Sequence, residues 1–100
     1  MKSKKIKEEE FELIKKKIRK ILKKHKIKKA GIFGSYVRGE QKKNRDVDIL
    51  IEPTKGMGFE FIGVKLELEN DIKKKVDLIT YKGMRPLIKN QILKEEVKLI

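Results

Sequence analysis

The chain has 100 residues, with 28 lysines and arginines against 15 aspartates and glutamates, a net charge of +13. That length gives one modest core and no second lobe. There is no cysteine, which excludes disulfides and thiolate metal sites and fits a cytoplasmic setting. No apolar stretch reaches transmembrane length, and the lysine-rich start lacks the apolar segment of a signal peptide, so no membrane partner is expected.

The positive charge favours an anionic partner: a nucleotide, RNA or an acidic protein surface. The same excess of lysine, isoleucine and glutamate is also the composition of a heat-adapted, AT-rich organism, a thermophile. The few aromatics are scattered and form no base-stacking platform. Nucleic acid therefore ranks below the other anionic partners, because charge alone gives only sequence-independent attraction.

In chain order, Phe11, Ile14, Ile18, Ile21 and Leu22 share one helical face, which predicts a helix over 5–24. Glu8, Glu9 and Glu10 near its start and Lys23 and Lys24 near its end agree with the helix dipole. His25 reads as a solvated helix-end residue rather than a general base. Residues 27–33 read as a strand, Gly34 as a sharp turn, and Ser35-Tyr36-Val37-Arg38 as the start of a short helix. A charged loop over 39–45 leads to a second strand over 46–52, stopped by Pro53, which cannot donate to a ladder. After a loop with two glycines, Phe59, Ile62, Leu66 and Glu69 step at helical spacing and predict a helix from 59 to about 71 or beyond. A third strand follows over 75–81, then a turn at Lys82-Gly83. Pro86 opens the last helix, whose buried face is read as Leu87, Ile88, Ile92 and Leu93. Val97, Leu99 and Ile100 alternate with Lys98 as a short closing strand. The order α-β-α-β-α-β-α predicts an α/β (α+β) fold: a small mixed sheet with helices packed mainly on one face, as one domain over 1–100.

The chemistry is concentrated between the first two strands. Asp46 and Asp48 stand two apart, ten residues beyond the Gly34-Ser35 pair. In an extended segment, residues i and i+2 point to one side, about 7 Å apart. Asp46 and Asp48 thus present two carboxylates to one small volume, while Val47, Ile49 and Ile51 face a core. At that separation two unit charges repel by roughly 2–3 kcal/mol at an effective dielectric near 20. A cation between them removes that penalty, and two carboxylates on a strand suit Mg²⁺, which shares its shell with substrate phosphates. Gly34 lets a phosphate approach the backbone. The N–H groups of the following helix and the Ser35 hydroxyl then point at an anion, with Arg38 one turn on as a guanidinium fork.

Gly34-Ser35-Tyr36-Val37-Arg38-Gly39-Glu40 followed by Arg45-Asp46-Val47-Asp48-Ile49-Leu50-Ile51 resembles the signature of the minimal nucleotidyltransferases, small members of the DNA polymerase beta-like superfamily. The resemblance covers nearly the whole chain. It implies a nucleotidyltransferase fold and a third carboxylate on a later strand, supplied by Asp77 in Val76-Asp77-Leu78-Ile79. Arg45 departs from the pattern, since the family often carries a small hydroxyl residue there.

By that resemblance Asp46, Asp48 and Asp77 are the catalytic metal ligands for two Mg²⁺ ions, a role Mn²⁺ can also fill. Gly34, Ser35 and Arg38 bind the phosphates of the substrate ATP. The implied activity is transfer of AMP to a tyrosine of a HEPN-type toxin partner, with the chain as the antitoxin. The alternatives are a catalytically silent antitoxin or binding module, and an RNA nucleotidyltransferase favoured by charge alone.

Overall fold

The computed structural model describes residues 2–34, 37 and 46–100. Helix α1 spans Lys2–Lys24, strand β1 Ala30–Phe33, strand β2 Val47–Ile51, helix α2 Glu60–Ile72, strand β3 Val76–Thr80, helix α3 Pro86–Glu95 and strand β4 Val97–Lys98. The strands form one mixed sheet in the order β3-β2-β1-β4. β1 is antiparallel to both β2 and β4, whereas β2 and β3 are parallel and joined through α2. The expected small mixed sheet with helices is what forms. The short helix expected after Gly34 lies outside the described residues, apart from Val37, whose N–H donates to the Gly34 carbonyl at 3.1 Å in a turn.

α1 starts earlier than its periodicity suggests and ends on a Schellman-type cap. Lys26 adopts φ 64°, and the N–H groups of Lys26 and Ile27 close back on the carbonyls of Lys23 and Leu22. This turn takes up Ile27 and the lysines after it, so β1 begins at Ala30 rather than at residue 27.

Alternation along the strands divides the interior. Val47, Ile49 and Ile51 of β2, with Ile32 and Leu78, pack against Ile14, Ile18, Ile21 and Leu22 of α1 and Val64, Leu68 and Ile72 of α2. Each such side chain, fully buried, contributes roughly 1.5–3 kcal/mol. On the opposite face Phe33, Leu50 and Met84 cluster with Ile79, Tyr81 and Ile92 of α3. Two helices thus cover one face of the sheet and the third lies on the other.

Two helix faces differ from the sequence expectation. In α2 the stripe Phe59, Ile62 and Leu66 points outward, at 93%, 55% and 57% exposure, and the buried stripe is Val64, Leu68 and Ile72. Both stripes recur at helical spacing, so periodicity finds the helix without choosing its inward side. In α3 no residue is buried: Leu87 is 96% exposed, and only Ile92 of the four expected residues packs on the sheet cluster. The helix covers just the end of a small apolar patch. Among the described residues, no helix is long and apolar enough to cross a membrane.

Candidate active site

The parallel pairing of β2 and β3 places Asp48 directly opposite Asp77. Neighbouring strands lie about 4.8 Å apart, and side chains in register share one side of the sheet. Asp48 and Asp77 therefore stand side by side on the face that also carries Leu50 and Ile79. Asp46 precedes β2 by one residue, two before Asp48. A hydrogen bond of 2.8 Å from the Val47 N–H to the Lys75 carbonyl ties the start of β2 to the start of β3. Asp48 is half-buried, while Asp46 and Asp77 are exposed.

Gly34 ends β1 next to this pair. Its φ is +83°, and a Cβ built on it would approach the Asp48 carboxylate closer than the 3.0 Å below which real Cβ atoms are essentially never found. Only glycine serves here, for both backbone and space. The turn backbone thus lies against the Asp48 carboxylate. Ser35, Arg38 and Arg45, expected at the phosphates, lie outside the described residues.

Among the described residues no group of three His, Cys, Asp or Glu side chains stands close enough to hold a metal. The register joins Asp48 to Asp77, and Asp46 stands ahead of the strand without closing a cluster of three. The pair itself fits a hard cation, since its donors are all carboxylate oxygens.

Other polar residues act elsewhere. His25, expected to be solvated, is half-buried and engaged at both ring nitrogens. Its Nδ1 lies 2.8 Å from a Glu60 oxygen and its Nε2 2.8 Å from one of Glu67, bridging the end of α1 to α2 on the helical side of the sheet. Hydrogen bonds donated to Glu67 and then to Glu60 raise the His25 pKa above its ordinary value. His25 and then Lys24 hold that of Glu67 down. On the carboxylate face, the Tyr81 hydroxyl donates to the Glu96 carboxylate, which lies across Gly31. The Lys29 amine sits 4.5 Å from the centre of the Tyr81 ring. Burial first, and then Glu96, push the tyrosine pKa far up, so the phenol stays protonated. Nothing in the linear pattern announces this contact, because Tyr81 and Glu96 meet only through the way α3 and β4 return to β1.

The model of the polymerase beta nucleotidyltransferase family matches residues 16–100. The chain belongs to that family. It is 47% identical over 88 residues to a candidate protein adenylyltransferase of Methanocaldococcus jannaschii, covering 87% of this chain and 95% of the relative. That likeness places it among the family's protein adenylyltransferases. A structure described as a candidate minimal nucleotidyltransferase superposes with TM-score 0.78 at 26% identity, covering 89% of this chain and 92% of the other. Two further structures share the fold. One is a toxin–antitoxin complex with AMP-PNP, at TM-score 0.74 and 24% identity, covering 86% of this chain and 72% of that one. The other is a tri-AMPylated HEPN toxin of Shewanella oneidensis with its MNT antitoxin, at TM-score 0.69 and 21% identity, covering 89% and 71%.

Proposed function

We propose that this nucleotidyltransferase moves AMP from ATP to a tyrosine hydroxyl of a HEPN-type toxin and acts as its antitoxin. The observation that carries the reading is the in-register Asp48–Asp77 pair against Gly34, in a chain 47% identical to a candidate protein adenylyltransferase. The complexes with AMP-PNP and with an AMPylated HEPN toxin support the donor and the acceptor class.

In this reading Asp46 and Asp48 would hold the cation that carries the triphosphate, and Asp77 a second one at the acceptor. When bound, Mg²⁺ (or Mn²⁺) neutralises charge on the phosphates and makes the attacking hydroxyl more acidic. Gly34 lets the turn backbone lie against the Asp48 carboxylate, and Ser35 and Arg38 would bind the phosphate oxygens. The acceptor oxygen bonds to the α-phosphorus, the bond to pyrophosphate breaks and the hydroxyl proton is released. His25, engaged by Glu60 and Glu67, takes no part.

The test is label transfer from α-labelled ATP to a HEPN-type toxin protein in the presence of Mg²⁺. Wild type should label the toxin. Asp48→Asn should lower the rate by about a hundredfold or more, since a metal stabilises the transition state by several kcal/mol and each ~1.36 kcal/mol is tenfold. A wild type that labels no protein would sink the reading. Should Asp46→Asn and Asp48→Asn neutralise the toxin as well as wild type does, contact alone would suffice and the silent-antitoxin alternative would stand.

A further inference from the structure

Asp48 and Asp77 lie at one end of the sheet, where Gly34 closes β1. Four residues beyond Asp48, about 13 Å along an extended strand, the other end gathers amines from three separate parts of the chain. Lys26, Lys28 and Lys55 line a depression of about 240 Å³ with Glu52, Pro53 and Thr54. Glu52 and Pro53 also border a second hollow of about 230 Å³, with Thr80, Tyr81 and Lys82. The Glu52 N–H donates to the Lys29 carbonyl and the Tyr81 N–H to the Ile51 carbonyl, which holds these segments level.

With Lys29, five amines here face one carboxylate, that of Glu52. Lys29 rests on the Tyr81 ring. Lys26, Lys28, Lys55 and Lys82 are exposed and make no ion pair among the described residues. Glu60, the next acid round the rim, is held by His25. Such a concentration of one sign attracts a polyanion. Phe59 stands on the same loop as Lys55. Turns closed by the Met57 N–H on the Thr54 carbonyl, at 3.1 Å, and the Glu60 N–H on the Met57 carbonyl, at 2.9 Å, keep the two close. The Phe59 ring is 93% exposed. An open ring beside unpaired amines suits a base stacked on the ring with its phosphates on the lysines. Composition disfavours a protein occupant, because protein interfaces are depleted of lysine.

We propose that this end of the molecule binds single-stranded nucleic acid, with phosphates on Lys26, Lys28, Lys55 and Lys82 and one base against Phe59. The fold, not the sequence, assembles the surface, since Lys26, Lys55 and Lys82 are far apart along the chain. It lies away from Asp48 and Asp77, so the proposal does not depend on the transfer reaction.

The probe is a fluorescein-labelled single strand of RNA of mixed sequence and about 12 nucleotides, within the span of such sites. It is titrated by fluorescence anisotropy in EDTA, so that no metal at the carboxylates takes part. Four phosphate contacts give a slope of log affinity against log salt near −3, about a fiftyfold loss between about 50 and 200 mM. Lys28→Gln/Lys55→Gln should weaken binding at the lower salt at least about tenfold and halve the slope. Phe59→Ala should weaken it at least about fivefold and leave the slope unchanged, which separates stacking from charge. The control Lys16→Gln/Lys73→Gln makes the same change in net charge at exposed positions outside this surface and should stay within about twofold. Circular dichroism checks that each variant is folded. Equal losses in the control and in Lys28→Gln/Lys55→Gln would overturn the proposal, as would wild-type binding by Phe59→Ala. So would polyglutamate of matched charge that competes as well as unlabelled RNA, because the surface would then take an acidic protein.

Discussion

Gly34 is the residue on which backbone strain and chemistry meet. A β-carbon there would be strained by φ +83° and would press on the Asp48 carboxylate. Gly34→Ala should therefore lower stability in urea unfolding by about 1–3 kcal/mol and also displace Asp48. Label transfer, measured where both proteins are folded, should fall further than the loss of stability explains. Gly56 separates the two effects: its φ is +77°, with nothing within 4 Å of a built Cβ. Gly56→Ala should show the strain in unfolding and transfer label like wild type. If both alanine variants transferred equally, the contact between Gly34 and Asp48 would have no catalytic weight.

Among the elements, the joint between α1 and α2 depends on pH. The His25 pKa is raised above its ordinary 6.5. Its stabilising contribution is thus complete below 6.5 and is lost as pH rises through the folded value. That of Glu67 is lowered from 4.5, so its contribution is complete above 4.5 and is lost as pH falls through the folded value. The destabilisation caused by His25→Gln should be largest between 4.5 and 6.5 and shrink above that window. Thermal unfolding of both proteins across pH checks this, and a difference that grows with pH would contradict it. This joint was hidden in the sequence, because the acids that hold His25 lie 35 and 42 residues away. The elements themselves were legible, since apolar periodicity marks helices and strands wherever one side is buried. Which side was not: Phe59, Ile62 and Leu66 compete with Val64, Leu68 and Ile72 on the same helix, and α3 shows several apolar residues to solvent. The site was half legible. The Asp-x-Asp spacing marks a shared side, but that Asp77 stands opposite Asp48 follows from long-range strand pairing no local pattern encodes.

At the scale of the molecule, 28 basic residues on 100 repel one another, and salt screens that repulsion. The Tm should rise as sodium chloride is increased from low to physiological strength. An unchanged Tm would mean that the lysines are already compensated. Mg²⁺ with ATP should raise the Tm further, by about 2.7 kcal/mol of stabilisation at a hundredfold excess over Kd. In Asp46→Asn/Asp48→Asn that metal-dependent increment should vanish, and a variant that kept it would remove the metal from this site.

In the proposed reading, the register of β3 against β2 ties competence to correct folding. Slipped by one residue, β3 would turn Asp77 toward the isoleucines beneath α1 and α2 and bring Val76 and Leu78 out to water. Burying that carboxylate would cost several kcal/mol, so the slipped chain would be driven back or cleared. A misaligned molecule loses the Asp48–Asp77 pair, the two carboxylates on which the proposed transfer rests. On the proposed reading, strand alignment decides whether those two carboxylates meet.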